Sequence, residues 1–575
     1  MLDYFKNIFF ILTKKQKKNS LILFVLILIN SILETLGIGL VFPALIIILD
    51  TNAINNYSFL NELYIFFKFE SHSALVNLLL VTIIIFFFCR FLFILFFAWY
   101  QNKFTFRINA ELSHRLLKGY LSATWSFLLK KNSGEMIRTI DSDVSIYSRL
   151  SLLSLFNFIK EILLITSLLI LLSFFNYKLT VFSIIFFGIF SFSVYYSLKN
   201  KIYNLGRDRH LTDSKKNKEL IQTLSAIKDI KVLEMEKVFI KLFDLVNFKS
   251  ARIWQKQNFI NEIPRNFLEL FTILFVVTVM YFFSNMGEQS YKEYLPILGV
   301  FGASAVRIIP SIGKILANLQ NLRFSKISTN SIKENLVNFE IVEKNNEVIE
   351  KLNFKSEISF ENVSLKHETK SENILEKINL KIQKGQTIGI IGESGSGKST
   401  IIDIILGLIL PTEGSVYVDG TNINKNIKGW RKNIGYVSQN LFLVDDTIEK
   451  NITFLFNGEE FDKQKLNKII ENVQLGKFIK QLPEGIKTEI GERGLRISGG
   501  EKQRIVIARI LFNNPNILIF DESTNALDVE TENKIIDLIY KFKEENKTII
   551  FVSHRKSTLE RCDLIYKLKN KNLTS

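Results

Sequence analysis

Cysteine is nearly absent from the 575 residues: Cys89 lies inside an apolar run and Cys562 near the C-terminus. Two such isolated thiols exclude a disulfide framework and a cysteine-based zinc site. The pattern of a cleavable signal peptide is missing as well. The first apolar run, from Leu21, is far longer than a signal core and lacks a clear small-residue cleavage site. It reads as a retained helix. Acidic residues are too few to balance the basic ones, 56 Asp and Glu against 73 Lys and Arg, for a formal charge of +17. That excess is compatible with nucleic-acid binding, but the cations sit between hydrophobic runs, which points to membrane topology.

The overall apolar fraction of 47% hides a division. The first 320 or so residues carry long Ile/Leu/Phe runs, and the last 220 read as a soluble α/β protein. A bilayer core needs about 20 apolar residues as a helix. Six candidates are present, at about 21–49, 75–99, 151–175, 178–198, 266–284 and 293–317. Between them, the N-terminal segment and the stretches 103–149 and 199–265 are rich in Lys and Arg, whereas 50–74 holds only Lys68 and 285–292 only Lys292. The N-terminus and both long connectors are therefore expected on the cytoplasmic side. Those connectors exceed the needs of a turn and should continue their helices, with breaks near Asn132-Ser133-Gly134-Glu135 and Ser225-Ala226-Ile227-Lys228. Each tip is either a solvated loop or a contact that transmits force.

Charges inside the spans are costly and normally face a cavity or a partner. Arg265 and Glu269 have the spacing of a helical ion pair, Glu34 is a candidate counter-ion for Arg90, and Lys160 and Glu161 sit toward a helix end. Arg307 lies near the middle of the last span, ahead of Pro310, which should kink the helix. Lys314 follows two turns on, with no acid nearby in sequence. Arg307 and Lys314, with Arg90, are expected to line a polar cavity suited to an anion, since guanidinium grips phosphate in a bidentate way.

Residues 325–353 are polar with little periodicity and are expected to be a linker between a membrane domain at 1–324 and a second domain at 354–575. There, short β-like runs alternate with helices. The strand-like 387–391 leads into Gly392-Glu393-Ser394-Gly395-Ser396-Gly397-Lys398-Ser399-Thr400, which opens a helical run. This is the strand–loop–helix setting of a P-loop. Its glycines let backbone N–H groups wrap phosphates, Lys398 reaches the β- and γ-phosphates, and the Ser399 hydroxyl ligates Mg²⁺. A second strand, 517–520, ends in Asp521-Glu522. Asp521 is placed to hold Mg²⁺, and Glu522 to act as general base or orient the attacking water. Ser498-Gly499-Gly500, before another helix, forms a further anion-binding N-terminus.

With these motifs in order, the chain resembles ATP-binding cassette transporters of the exporter type over nearly its whole length. The resemblance implies an all-α six-helix transmembrane domain followed by an α/β P-loop NTPase domain, with ATP and Mg²⁺ as cofactors. It implies that Ser498, Gly499 and Gly500 are the signature that completes the ATP site of a second subunit. Gln439 matches the Q-loop glutamine that contacts Mg²⁺, Asp528 lies in the D-loop, and His554 matches the switch histidine at the γ-phosphate. The adenine-stacking aromatic falls near His367. The signature departs from the family pattern at Ile497 and Glu501. One P-loop and one signature per chain imply a homodimer.

Glu34–Pro43 and Arg307–Ser311 resemble the bacterial flippases of polyprenyl-diphosphate-linked oligosaccharides. The expected partners are therefore a second copy of the chain, membrane lipid and an anionic lipid-linked cargo, with no nucleic acid. The expected location is a bacterial inner membrane with both termini cytoplasmic. The alternatives are an exporter of peptide, drug or another lipid, and a membrane ATP sensor without transport, against which Lys398, Glu522 and His554 speak.

Overall fold

The computed structural model describes residues 2–40, 72–284, 288–343, 350–366, 373–491, 494, 497–522, 529–553 and 555–574. It divides into a helical unit, Met1–Ala123 with Phe127–Ile341, and an α/β unit, Val342–Ser575, with which Thr124–Ser126 groups.

The helical unit opens with α1 (Leu2–Ile11) and α2 (Lys14–Gly39). Thr13 separates them because it caps α2: its hydroxyl accepts from the Gln16 N–H at 3.3 Å, and the Gln16 side chain accepts from the Thr13 N–H at 2.9 Å. This reciprocal box satisfies two N–H groups that a helix start leaves unpaired. The long α3 (His72–Ser122) follows, then the short α4 (Trp125–Leu129) and α5 (Ser133–Arg138). Two π-helical segments, Thr139–Asp143 and Tyr147–Leu152, lead into α6 (Leu153–Phe175). Then come α7 (Tyr177–Ser225), α8 (Ile227–Val232), α9 (Glu236–Ser284), α10 (Glu288–Phe324) and α11 (Lys326–Glu343).

Both expected breaks are present. Asn132 caps α5 by accepting from the Glu135 N–H at 2.8 Å, and Ala226 separates α7 from α8. At 1.5 Å per residue, the 51 residues of α3 reach about 77 Å, far beyond a hydrocarbon core of about 30 Å. The connectors are thus helical continuations of the spans.

The distribution of side chains is that of a lipid-facing bundle. On α2, polar Ser20, Asn30, Ser31 and Glu34 are buried, while Leu21, Ile22, Ile32 and Leu36 are exposed. With no water in the bilayer core, polar groups turn inward and apolar ones face lipid. Among the described residues, four helices are long and apolar enough to cross a membrane: Lys14–Gly39, Val76–Ser122, Ser133–Phe174 and Tyr177–Ser225. The expected fifth and sixth spans fall in α9 and α10, whose side chains from 279 to 303 lie outside the described residues. Pro310 sits inside α10, which continues through it to Phe324.

The expected linker differs in its first part. Residues 326–343 form α11, which packs Ile332, Leu336 and Phe339 into the same core as Tyr4 and Ile8 of α1. Those three apolar residues stand at helical spacing in a polar background, so the periodicity is one stripe wide and easily overlooked.

Beyond the apolar spans, a buried ionic network ties this unit together. Asp143 is 1% exposed and faces Arg138 and Arg209 at 3.7 Å each and His210 at 3.4 Å. The Ser328 hydroxyl of α11 donates to Asp143 at 2.6 Å and accepts from Arg209. Asp213 gives Arg209 a second carboxylate at 3.9 Å.

The α/β unit holds two sheets. The antiparallel one has the order β2-β1-β4-β5, from Glu357–Lys366 (β1), Asn373–Gln383 (β2), Glu413–Val418 (β4) and Thr421–Asn422 (β5). The other has the order β10-β9-β3-β8-β7-β6, with β3 Thr387–Gly392, β6 Ile434–Val437, β7 Ile517–Asp521, β8 Thr548–Val552, β9 Leu564–Lys569 and β10 Asn572–Thr574. Strands β9, β3, β8, β7 and β6 run parallel. Every residue of β7 and β8 is buried, as a parallel sheet covered on both faces requires.

Candidate functional site

Three parallel strands deliver the expected nucleotide residues to one edge. Val552 of β8 pairs with Ile390 of β3 on one side and with Asp521 of β7 on the other. The P-loop and the Asp521-Glu522 pair therefore leave the sheet together at its carboxyl end, where ligands bind in open α/β sheets.

The loop after β3 turns through Gly395 (φ +77°) and Gly397 (φ +109°), left-handed conformations that side chains resist. A Cβ on Gly392 would lie 2.7 Å from the Leu568 carbonyl oxygen. Helix α12 (Lys398–Ile405) starts directly from Gly397, so its first N–H groups face the loop. Lys398 is buried, and its Nζ donates to the carbonyls of Gly392 at 2.7 Å and Glu393 at 3.0 Å. The Ser396 hydroxyl is buried in the loop without a hydrogen-bond partner. Glu393, Ser394 and Ser399 are exposed, and Thr400 is half-buried. A ring of N–H groups, an ammonium and an unsatisfied hydroxyl suits phosphate oxygens.

Asp521 accepts from the Tyr436 hydroxyl at 3.1 Å, and Gln439 Nε2 donates to Glu522 at 3.0 Å. Burial raises the Asp521 carboxyl, against the Tyr436 hydrogen bond, which lowers it. Burial and the neighbouring Asp521 charge push Asp403 of α12 up to about 6. Asp521 and Asp403 lie close enough to repel, with the Lys398 charge also acting on Asp521, and their oxygens suit a hard divalent ion. Among the described residues no cluster of three or more His, Cys, Asp or Glu side chains occurs. A site of this type instead relies on hydroxyl, phosphate and water oxygens. Tyr436 and Asp403 were not singled out by sequence: each is an ordinary strand or helix residue until the sheet sets it beside Asp521.

Ser498 is the N-cap of the helix Gly499–Phe512, with Glu501 closing a capping box. The Ser498 N–H and hydroxyl donate to Glu501 Oε2 at 2.8 and 2.7 Å. Glu501, a departure in family terms, is thus a local cap whose carboxylate occupies the anion-favouring end of the helix. Glu501→Ala should cost about 1 kcal/mol of cassette stability, whereas Glu501→Gln, which keeps the box, should cost little. Thermal denaturation of the two variants checks this, and equal losses would contradict it. His367, Asp528 and His554 lie outside the described residues.

In the membrane half, every expected cavity cation has a carboxylate partner. Glu34 pairs with Arg90 at 3.2 Å, as expected, and also with Arg307 in a closer contact. Lys314, with no acid near it in sequence, meets Glu161 of α6 at 3.7 Å, and Lys160 meets the same carboxylate at 3.4 Å. Arg265 pairs with Glu269 at 3.3 Å. The acids for Arg307 and Lys314 come from other helices, so chain spacing did not reveal them.

A phosphate-binding cassette joined to a bundle of membrane-crossing helices defines a nucleotide-driven membrane protein. Family comparison makes this specific. Residues 375–525 match the model described as ABC transporter, and residues 20–292 the model described as ABC transporter transmembrane region. The chain is an ABC exporter with fused transmembrane and ATP-binding domains, an ATPase that couples hydrolysis to transport. The ATP-dependent lipid A-core flippase of Yersinia pestis is 27% identical over 470 residues, covering 81% of this chain and 79% of that protein. The leukotoxin export ATP-binding protein LtxB of Aggregatibacter actinomycetemcomitans is 31% identical over 353 residues, covering 60% of this chain and 48% of that protein. A solved structure of a bacterial Atm1-family ABC exporter with ATP bound shares the fold, with a TM-score of 0.78 at 21% identity over 97% of this chain and 95% of that one.

Proposed function

We propose that this exporter is a homodimeric flippase that moves a polyprenyl-diphosphate-linked oligosaccharide from the inner to the outer leaflet of a bacterial inner membrane, with both chain termini cytoplasmic. The observation that carries the reading is the ratio of charges in the membrane half. Glu34 is shared by Arg90 and Arg307, and Glu161 by Lys160 and Lys314. Each cluster retains one positive charge after pairing, a surplus at membrane depth that suits an anionic headgroup. The likeness to a protein named as a lipid A-core flippase supports a lipid cargo. The likeness to a leukotoxin export protein supports a second reading, export of a polypeptide.

In the cassette, the P-loop residues Gly392–Thr400 would hold the phosphates, with Lys398 on the β- and γ-oxygens. Ser399, Gln439 and Asp521 would hold Mg²⁺, which would supply positive charge to the phosphate oxygens. Glu522 takes the proton of the attacking water, and Gln439 orients Glu522 through their hydrogen bond. Ser498, Gly499 and Gly500 would close the site from the second subunit, Asp528 would lie at that junction, His554 would face the γ-phosphate and His367 the adenine. Two bound ATP molecules draw the cassettes together. The helices that extend from the spans carry the movement to the membrane half, giving alternating access by rigid-body motion. The functional limits proposed for the two domains are 1–324 and 354–575, with α11 attached to the helical unit.

The test is transport. Liposomes containing the purified protein and a fluorescent polyprenyl-diphosphate oligosaccharide should show ATP-dependent loss of label from one leaflet, and Arg307→Ala should slow that loss at least about tenfold. Label movement that is equally fast in Arg307→Ala removes Arg307 from the cargo path. No movement by an ATPase-active wild type sends the assignment to other lipids or to polypeptides.

A further inference from the structure

Three helices converge on one buried acid. Glu34 of α2 is 4% exposed and holds Arg90 of α3 and Arg307 of α10. The cations are the accessible members, with side chains 19% and 27% exposed against 6% for the acid.

Donors outnumber acceptors. Each guanidinium carries five N–H groups, and a carboxylate offers about four acceptor positions. About six N–H groups of the pair are therefore left without an acceptor from Glu34. Arg307 Nε lies in close contact with the Glu34 carboxylate, so that nitrogen is already engaged by the acid. On the same helix, the Ser304 and Ser311 hydroxyls are fully buried without partners. Neither oxygen of Glu161 accepts a hydrogen bond, although two lysines lie near it. Unpaired polar groups are expensive away from water. A ligand rich in acceptor oxygens and carrying negative charge satisfies the donors among them, the guanidinium N–H groups and the two serine hydroxyls, whereas the Glu161 oxygens are acceptors served by the lysines beside them.

We infer that Glu34 is the built-in anion that cargo must displace, and that it thereby sets the cavity's selectivity for anionic headgroups. The inference rests on the reading of the membrane half as an anion path. With Glu34 in place the cluster carries one net positive charge. With Glu34 turned away, Arg90 and Arg307 together carry two, which a diphosphate diester matches. A neutral headgroup cannot replace the carboxylate, because doing so strands two guanidinium charges. An anionic one exchanges one set of charge-assisted hydrogen bonds for a larger set. Glu34 also reclaims the arginines once the cargo has moved on, which assists release.

The experiment is ATPase stimulation of the full chain in lipid nanodiscs, with farnesyl diphosphate as the probe and farnesol as its neutral counterpart. Wild type should respond to the diphosphate and not to the alcohol. Glu34→Gln removes the competitor, so the half-maximal diphosphate concentration should fall about tenfold, and the maximal stimulated rate should fall because release slows. Should Glu34→Gln fail to fold, Glu34→Asp keeps the charge but shortens the reach to two arginines. Its half-maximal concentration should then fall about threefold. A purely structural Glu34 predicts the opposite sign, a higher half-maximal concentration. An unchanged or higher value in the variant that folds overturns the role of Glu34 while leaving the anion path standing. A wild type that responds equally to farnesol, or to neither probe, overturns the anion path itself.

Discussion

Glu522→Gln should lower Mg-ATP hydrolysis by about 10²–10⁴-fold, the span of a lost general base. Shape and hydrogen bonding survive the change: the glutamine carbonyl accepts from Gln439 Nε2 as the carboxylate does at 3.0 Å. Glu522 also has a left-handed backbone, φ +44°, anchored by its N–H donating to the Val552 carbonyl at 2.9 Å. Gln bears that conformation as well as Glu does. What is removed is the negative charge and with it the ability to take a proton. The P-loop, with Lys398 and the Gly397-initiated helix, is untouched, so nucleotide affinity should stay within about threefold of wild type. Phosphate-release kinetics beside equilibrium binding of labelled ATP separate the two quantities. A variant that keeps more than a tenth of wild-type turnover refutes the base assignment. One that loses binding along with turnover shows instead that the loop depends on Glu522.

The second large effect lies far from nucleotide chemistry. Asp143→Ala should destabilise the helical unit by about 3–5 kcal/mol, the cost of breaking a buried ion pair from one side. Asp143 is the shared counter-ion of Arg138 and Arg209, which are 2% and 0% exposed. Without it, Arg209 keeps only Asp213 at 3.9 Å, and Ser328 of α11 loses the acceptor for its hydroxyl. Arg138 is then left with the His210 carbonyl at 3.2 Å and no carboxylate, and Arg209 with one carboxylate in place of two. Arg265→Ala provides the contrast: its partner Glu269 is 60% exposed and Arg265 78%, so the loss should be at most about 1 kcal/mol. Thermal unfolding in detergent, followed by the fraction of monodisperse protein, compares the two. Equal behaviour of Asp143→Ala and Arg265→Ala would show that the network adds no stability.

The nucleotide motifs were legible because each is contiguous. Gly392 to Thr400 contains its own turn residues, its lysine and its helix start, and the carbonyls that Lys398 engages lie five and six residues away. The Ser498–Glu501 box is equally local, although family comparison presents Glu501 as an exception where helix chemistry makes it a cap. Tyr436 and Asp403 were not legible, since their partner Asp521 is remote in the chain and adjacent only across the sheet. The helix α11 was overlooked because one apolar stripe in a polar segment resembles a linker until it meets α1.

Residue order alone determined four of the membrane spans, the helical continuations beyond them and the phosphate loop. All of these follow from interactions within one or two turns, or from the thickness of a bilayer. Tertiary structure decided how charge is shared. Glu34 lies 56 residues from Arg90 and 273 from Arg307, by the numbering, yet holds both. Asp143 gathers partners from three separate helical segments. A buried charge must find a counter-charge wherever packing brings one, and packing is indifferent to distance along the chain.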